Sequence, residues 1–385
     1  LRHNGELLDD CVAVRYEAPR SFTGNDLVEL TLHGSPMLVT RVVAAVVELG
    51  ARMAAAGEFT ERAVLNGKLD LVQAESIADL INSRTALQAK LSLGNLAGAL
   101  SERAGSIRES LLYVISRLEA ALDFSEEGYE FITREEARLR IAEAIANADA
   151  MAGTYRRGRA TNAGLTAVIL GRPNAGKSTL LNALVGSERA IVTPIPGTTR
   201  DIVRETIEIG GLPVTIADTA GLRESDDVVE GIGVARAREA AGSADIVLYL
   251  VDAGEGLTAA DELTAFPTAI VIYTKMDLVP APLGAIGISV REGGGMEELL
   301  ALLDTRVREE FEASEGSLVN ERQLQAVLDC GEALKAALAA LDAGLDEEVI
   351  VVDLNRAAIA LGLLTGAITT NEVFTEIFSK FCIGK

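Results

Sequence analysis

The chain has no tryptophan, and aromatic residues make up only 4% of its 385 positions. Its cores must therefore be built from aliphatic side chains and alanine, a composition that favours helices. Cysteine is also scarce. Cys11, Cys330 and Cys382 lie far apart and form no Cys-x-x-Cys pair. That argues against a disulfide framework and a cysteine-based zinc site, and points to a reducing, cytoplasmic setting. Basic residues are in deficit, 35 against 57 acidic ones, for a formal net charge of −22. Broad, non-specific nucleic-acid binding depends on Lys and Arg neutralising phosphates, so a surface of this sign argues against it. A nucleic-acid role would need a local basic patch or a basic partner. No long uncharged apolar run and no signal peptide is evident, so no membrane association is expected. Because the sequence opens on Leu1 rather than Met, an incomplete N-terminus is expected.

What is present is globular: 49% hydrophobic residues in a length that accommodates two or three domains. Residues 1–70 have the pattern of a small α/β domain. Cys11–Tyr16 and Leu27–Leu32 alternate as strands, and Pro36–Leu49 is expected to be a buried helix through Met37, Val39, Val42, Val43, Val46 and Val47. Thr60 is a candidate N-cap for the next helix. From Leu71 to about residue 160 the pattern is helical, with Ile107, Leu111, Val114, Ile115, Leu118 and Leu122 on one face. Thr133-Arg134-Glu135-Glu136 restarts a helix as a capping box. The basic stretch Tyr155–Arg159 is expected to be a solvated helix end that complements the C-terminal dipole. Strands at 166–170, 202–209, 213–217, 245–251, 269–273 and 286–289 then alternate with helices, predicting a mostly parallel sheet covered on both faces over residues 163–312. After about residue 316 a helical stripe returns through Leu324, Val327, Leu328, Leu334, Leu338 and Leu341. The predicted architecture is multidomain α/β plus all-α. A helical domain made of 71–162 and 313–385 is interrupted by a Rossmann-like nucleotide domain.

The chemistry centres on Gly171-Arg172-Pro173-Asn174-Ala175-Gly176-Lys177-Ser178, which follows a strand and opens a helix. That is the setting of a phosphate-binding loop (P-loop). Glycines let successive N–H groups turn toward a phosphate, and the helix N-terminus adds positive potential. Asn174, Ala175, Gly176, Lys177, Ser178 and Thr179 are the candidate nucleotide contacts, with Lys177 on the β/γ-phosphates and the Ser178 hydroxyl on Mg²⁺. Further on, Thr198 or Thr199 can place a hydroxyl on Mg²⁺ and an N–H on the γ-phosphate. Asp218-Thr219-Ala220-Gly221 would bind Mg²⁺ through water at Asp218 and sense the γ-phosphate at Gly221. Thr274-Lys275-Met276-Asp277 resembles the guanine-recognition motif Asn-Lys-x-Asp, with Thr274 where asparagine is expected, and Ser289 stands in the last base-contacting loop. Together these imply a GTPase. Leu222 occupies the position where many GTPases carry a water-orienting glutamine. Another group must therefore act, and Glu230 is the candidate, although a solvated glutamate is the plainer reading of the bare sequence. Arg200 and Arg223 are more simply structural than catalytic.

Thr198-Thr199-Arg200-Asp201 and Asp218-Thr219-Ala220-Gly221-Leu222-Arg223-Glu224 resemble the MnmE (TrmE) tRNA-modification GTPases. So do the terminal Phe381-Cys382-Ile383-Gly384-Lys385, and the upstream pieces Ser21–Gly24, Glu29–Gly34, Gly57–Ala63, Asn66–Leu71 and Gln73-Ala74-Glu75. The resemblance spans essentially the whole chain. It implies a folate-binding N-terminal domain and an inserted G domain in a homodimer. It also implies a flavin-dependent partner of the MnmG (GidA) type, with which C5 of the wobble uridine of certain tRNAs receives aminomethyl or carboxymethylaminomethyl groups. GTP, Mg²⁺, K⁺ and a 5-formyl- or methylene-tetrahydrofolate are the implied cofactors. Carried over by position, Asn174 with Thr193, Ile195 and Thr198 would ligate K⁺. Ser178 and Thr199 would hold Mg²⁺, Glu230 would position the attacking water, and Glu29, Lys68 and Lys385 would line the folate site. The resemblance sets Cys382 near the active centre without defining its role. A GTP-dependent switch acting on a partner such as a ribosome-assembly factor, and a bare nucleotide-binding module, are the competing readings.

Overall fold

A computed structural model describes residues 1–124, 131–187, 189–191, 204–218, 239, 241–258, 267–367, 377–378 and 381. The N-terminal segment holds four short strands, β1 (Arg2–His3), β2 (Glu6–Leu7), β3 (Val12–Tyr16) and β4 (Leu27–Thr31), and helices α1 (Pro36–Glu48) and α2 (Glu58–Leu65). Helices α3 (Leu71–Asn82), α4 (Ala86–Leu96), α5 (Ala99–Asp123), α6 (Arg134–Ala152) and α7 (Tyr155–Ala163) follow. The α/β stretch contains β5 (Leu165–Gly171), α8 (Lys177–Val185), β6 (Arg204–Ile209), β7 (Leu212–Asp218), β8 (Ile246–Asp252), β9 (Ile270–Thr274), β10 (Ile286–Gly287) and α9 (Met296–Phe311). Two long helices, α10 (Glu321–Asp342) and α11 (Glu347–Thr365), end the sequence of described elements.

Two compact units emerge. One consists of Leu1–Ile81, Leu93–Ala150 and Gln325–Lys385, the other of Asn82–Ser92 and Met151–Leu324. In the first unit β3 and β4 form an antiparallel pair, and a small core of Leu8, Val42 and Ala45 lies beside it. The expectation for α1 fails here. Met37, Val39, Val43, Val46 and Val47 are exposed and only Val42 and Ala45 are buried. Periodicity identifies an apolar face but does not supply an element to cover it. The expectation for Thr60 also fails. Gly57, in the left-handed region at φ +69°, occupies the N-cap of α2, and Thr60 lies buried inside the helix. A side chain on Gly57 would press within 3.0 Å of Phe378 and Phe381, so close packing fixes the glycine there.

The rest of the same unit is helical. The predicted stripe of α5 is buried through Ile107, Leu111, Val114, Ile115 and Leu118. Helix α11 packs along it and buries Ile350, Leu354, Ala357, Leu361 and Leu364. Each Ile or Leu side chain among them contributes about 1.5–3 kcal/mol on leaving water. The capping box at the start of α6 is half made. Thr133 Oγ1 accepts from the Glu136 N–H at 3.1 Å, whereas the Glu136 carboxylate accepts from Tyr113 Oη at 3.0 Å and Arg140 Nε at 3.1 Å. Tertiary partners have taken the side chain that the local motif would have used. In α10 the stripe is buried at Val327, Leu334 and Leu341, with Leu328 exposed and Cys330 adding to the buried set. Burial pushes the Cys330 thiol up to about 12, so it acts as a small apolar side chain rather than a nucleophile.

The second unit is built on a six-stranded sheet in the order β10-β9-β8-β5-β7-β6. All neighbours are parallel except the β6–β7 edge pair. Alternate residues enter two separate cores: Leu165, Ala167 and Ile169 on one face, Val168 and Leu170 on the other. Burial on both faces is why these strands are near-continuous apolar runs. The basic stretch 155–159 differs from expectation. It forms the first turn of α7, where cations oppose the helix dipole. Acidic partners offset this: Arg156 pairs with Glu310 and Arg159 with Asp245.

Candidate functional site

The phosphate loop begins where β5 ends. At Gly171 φ is +139°, and a Cβ there would lie 2.4 Å from the Leu250 carbonyl of β8. Only glycine fits both the conformation and the space. The chain turns back through Asn174, left-handed at φ +62°, closed by the Ala175 N–H donating to the Arg172 carbonyl at 3.3 Å. Gly176, at φ +90°, launches α8 as an N-cap without a side-chain hydrogen bond. The first N–H groups of a helix have no intrahelical partner, so those at Lys177, Ser178 and Thr179 point toward any anion held in the loop. Lys177 Nζ donates to the carbonyls of Gly171 at 2.8 Å and Arg172 at 2.7 Å, which folds the ammonium over the loop. Ser178 and Asn174 are exposed. A hydroxyl on the first turn of the phosphate-loop helix has the hard-oxygen chemistry that Mg²⁺ requires.

The second loop arises at the ends of β8 and β9, which lie on the same side of β5. Thr274 is buried, and its Oγ1 donates to the Ala175 carbonyl at 2.9 Å and to the Val251 carbonyl at 3.3 Å. This hydroxyl is therefore turned toward the phosphate loop and bridges it to the loop that follows. Lys275 takes the left-handed conformation, φ +61°, and its Nζ reaches Asp252 Oδ2 at 2.6 Å. The Lys275 ammonium beside Asp252 holds that carboxyl below the usual range, aided by the Gly254 N–H and opposed by burial. Ser289 donates to Asp277 Oδ1 at 2.8 Å, and the Met276 N–H donates to the Ile288 carbonyl at 3.2 Å. Asp277 is thus oriented by the neighbouring loop, as a carboxylate that must meet paired N–H groups on a planar base would need to be.

The structure thus brings Asn174–Thr179 together with Thr274, Lys275, Asp277 and Ser289. Asp218 is the last residue of β7, next to β5 in the sheet. Thr193, Ile195, Thr198, Thr199, Thr219, Ala220, Gly221, Glu230, Cys382 and Lys385 lie outside the described residues. In the N-terminal segment Glu29 is exposed on β4 and accepts from Tyr16 Oη at 3.3 Å. Lys68 is exposed and donates to the Pro19 carbonyl at 2.9 Å. Among the described residues no ion pair joins Glu29 to Lys68. Asp252 is a site residue that the sequence motifs did not reveal. Its signal was an acid ending the apolar run Ile246–Val251, as Thr274 ends the next strand.

A mostly parallel sheet buried on both faces, with a glycine-rich loop at the tip of its central strand β5 joined to a Lys-x-Asp loop, defines a P-loop nucleotide-binding protein. The family model described as the MnmE helical domain matches residues 71–382, and the one described as the GTP-binding protein TrmE N-terminus matches residues 1–68. The tRNA modification GTPase MnmE of Symbiobacterium thermophilum is 44% identical over 99% of this chain and 87% of its own length. That of Aquifex aeolicus is 40% identical over 99% and 88%. Among solved structures, Aquifex aeolicus Era bound to GDP·AlF4⁻ is 27% identical. It covers 44% of this chain and 66% of its own, with a TM-score of 0.30. The chain belongs to the MnmE family of tRNA modification GTPases.

Proposed function

We propose that this chain is a K⁺-activated GTPase whose cycle serves tRNA modification. With a flavin-dependent partner of the MnmG type it installs aminomethyl or carboxymethylaminomethyl groups at C5 of the wobble uridine. Hydrolysis of GTP coupled to tRNA modification follows from family membership. The observation that carries the nucleotide assignment is the hydrogen bond from Thr274 to the Ala175 carbonyl. It sets a base-recognising loop at a fixed distance from a phosphate-binding one, as a guanine nucleotide requires. Lys177 and the N–H groups opening α8 neutralise the β/γ-phosphates, and Asp277, oriented by Ser289, accepts from the guanine edge. Ser178 and Thr199 would hold Mg²⁺. Asn174, with Thr193, Ile195 and Thr198, would hold K⁺, which supplies positive charge beside the phosphates in place of an arginine. Glu230 orients the attacking water, a task Leu222 cannot perform.

The family resemblance further supports a G domain, residues 163–312, inserted in a helical domain of 71–162 and 313–385. It also supports a folate-binding segment at 1–70 with Glu29, Lys68 and Lys385 toward a 5-formyl- or methylene-tetrahydrofolate, a homodimer, and action in the cytoplasm. GTP turnover is measured in K⁺ and in Na⁺, with and without the flavoprotein. Turnover several-fold faster in K⁺, abolished by Glu230→Ala with nucleotide affinity retained, is the expected result. Equal rates in the two salts refute the cation mechanism, and undiminished turnover in Glu230→Ala refutes the assignment of that residue.

A further inference from the structure

Helices α4, α7 and α9 and the segment 312–315 border an open surface cavity of about 640 Å³ in the nucleotide-binding unit. It is separate from the loops described above. Leu87 and Leu91 form its apolar side, and Lys90, Arg157 and Arg308 line it with three cations. Neighbouring arginines are engaged elsewhere: Arg156 with Glu310 and Arg159 with Asp245. The three lining cations are not. Arg157 donates to the Glu309 carbonyl, at 3.3 Å, rather than to a carboxylate. Among the described residues no carboxylate lies within ion-pair distance of Lys90 or Arg308, although Glu312 and Glu315 line the same cavity. In a chain of net charge −22, three cations against two carboxylates give this lining a positive balance of one, opposite in sign to the whole, and none of the three is held in an ion pair among the described residues.

We propose that this cavity binds the sugar–phosphate backbone of the tRNA. Lys90, Arg157 and Arg308 hold adjacent phosphodiesters, and Glu312 and Glu315 accept hydrogen bonds from flanking ribose 2′-hydroxyls. The volume matches a ligand-sized site that takes one or two nucleotides rather than a long duplex. Carboxylate acceptors beside the cations suit RNA, because only RNA offers 2′-hydroxyl donors there. The inference rests on the tRNA-modification reading and answers the charge problem that reading raises: where so acidic a chain can meet a polyanion.

The test uses the full chain and a substrate tRNA with an unmodified wobble uridine, with affinity measured across a salt series. Lys90→Gln with Arg308→Gln alters two side chains that form no ion pair among the described residues. The double variant is expected to bind tRNA roughly ten-fold more weakly at moderate salt. Its slope of log affinity against log salt should be shallower by about two, one for each phosphate no longer neutralised. GTP turnover and the thermal midpoint should be unchanged. Glu312→Ala with Glu315→Ala, which removes both acceptors, should lower the preference for the RNA anticodon arm over its DNA counterpart; an unchanged RNA-to-DNA affinity ratio overturns the 2′-hydroxyl contact. If the unaltered protein binds tRNA and the Lys90/Arg308 variant keeps the same affinity and slope, this inference is overturned alone. If the unaltered protein does not bind tRNA, with or without the flavoprotein, the tRNA reading falls with it.

Discussion

The six-stranded sheet and the β3–β4/α1 segment contrast in how they use apolar residues. In the sheet nearly every aliphatic side chain finds a neighbour, with Ile207, Leu212, Val214, Ile216, Leu250 and Ile272 all fully buried. In the N-terminal segment Val12 is 63% exposed and Met37 60%, and Val28, Val39, Val43, Val46 and Val47 are exposed beside them. One region closes its core from its own residues. The other presents a face that its own residues leave uncovered. Hydrophobicity of similar strength therefore supports stability in the first and little of it in the second.

The largest expected effect probes the closed region. Ile216→Ala should cost about 2–5 kcal/mol, the range for a cavity left in a packed core, read as a lowered denaturation midpoint. Lys177→Ala comes next. Losing the cation proposed to meet the phosphates should slow GTP turnover by about 10²-fold while the midpoint stays put, as single-turnover assays and calorimetry would record. Asp252→Asn should weaken GDP binding by about ten-fold. It removes the charge from a hydrogen bond worth about 1.5–3 kcal/mol and loosens Lys275. Titration calorimetry is the measurement, and unchanged affinity would make the pair incidental.

In the exposed region the sensitive variable is pH. Glu58 is held down at about 2, first by Arg52, then by the Ala55 N–H and Arg62. Its folded pKa is depressed, so the stability it contributes is present above the ordinary glutamate value of 4.5 and is lost as pH falls from there toward about 2. Hydrogen exchange in 52–65 should rise across that window, and Glu58→Gln should remove the dependence. The smallest effect belongs to Val46→Ala on the exposed face of α1, within about 0.5 kcal/mol. A loss as large as that of Ile216→Ala would show the face covered in solution and erase the contrast.

The same contrast explains what the sequence disclosed. Strands β5, β7, β8 and β9 were legible to within about a residue because fully buried strands are unbroken apolar runs between turn residues. The phosphate loop was legible because its glycines answer a local demand, as at Gly171. The exposure of α1 was not legible, because periodicity specifies an apolar face and not its cover. Nor was the position of Arg156, Arg157 and Arg159, since the acids that Arg156 and Arg159 meet, Glu310 and Asp245, are distant in sequence. Thr274 looked like a defect in a base-recognition motif. Its role depends on the Ala175 carbonyl, which lies 99 residues earlier.

That one hydroxyl has a thermodynamic consequence. Because Thr274 joins the two loops, the proposed nucleotide site would couple the energy gained from the base to that gained from the phosphates rather than sum them. A double-mutant cycle pairing a change at Asp277 with one at Lys177 would therefore leave a residual. Replacing Thr274 by valine, which keeps the shape and removes the donor, should shrink that residual toward zero. On that outcome the motif's unexpected residue would be the place where recognition of the base and grip on the phosphates exchange information.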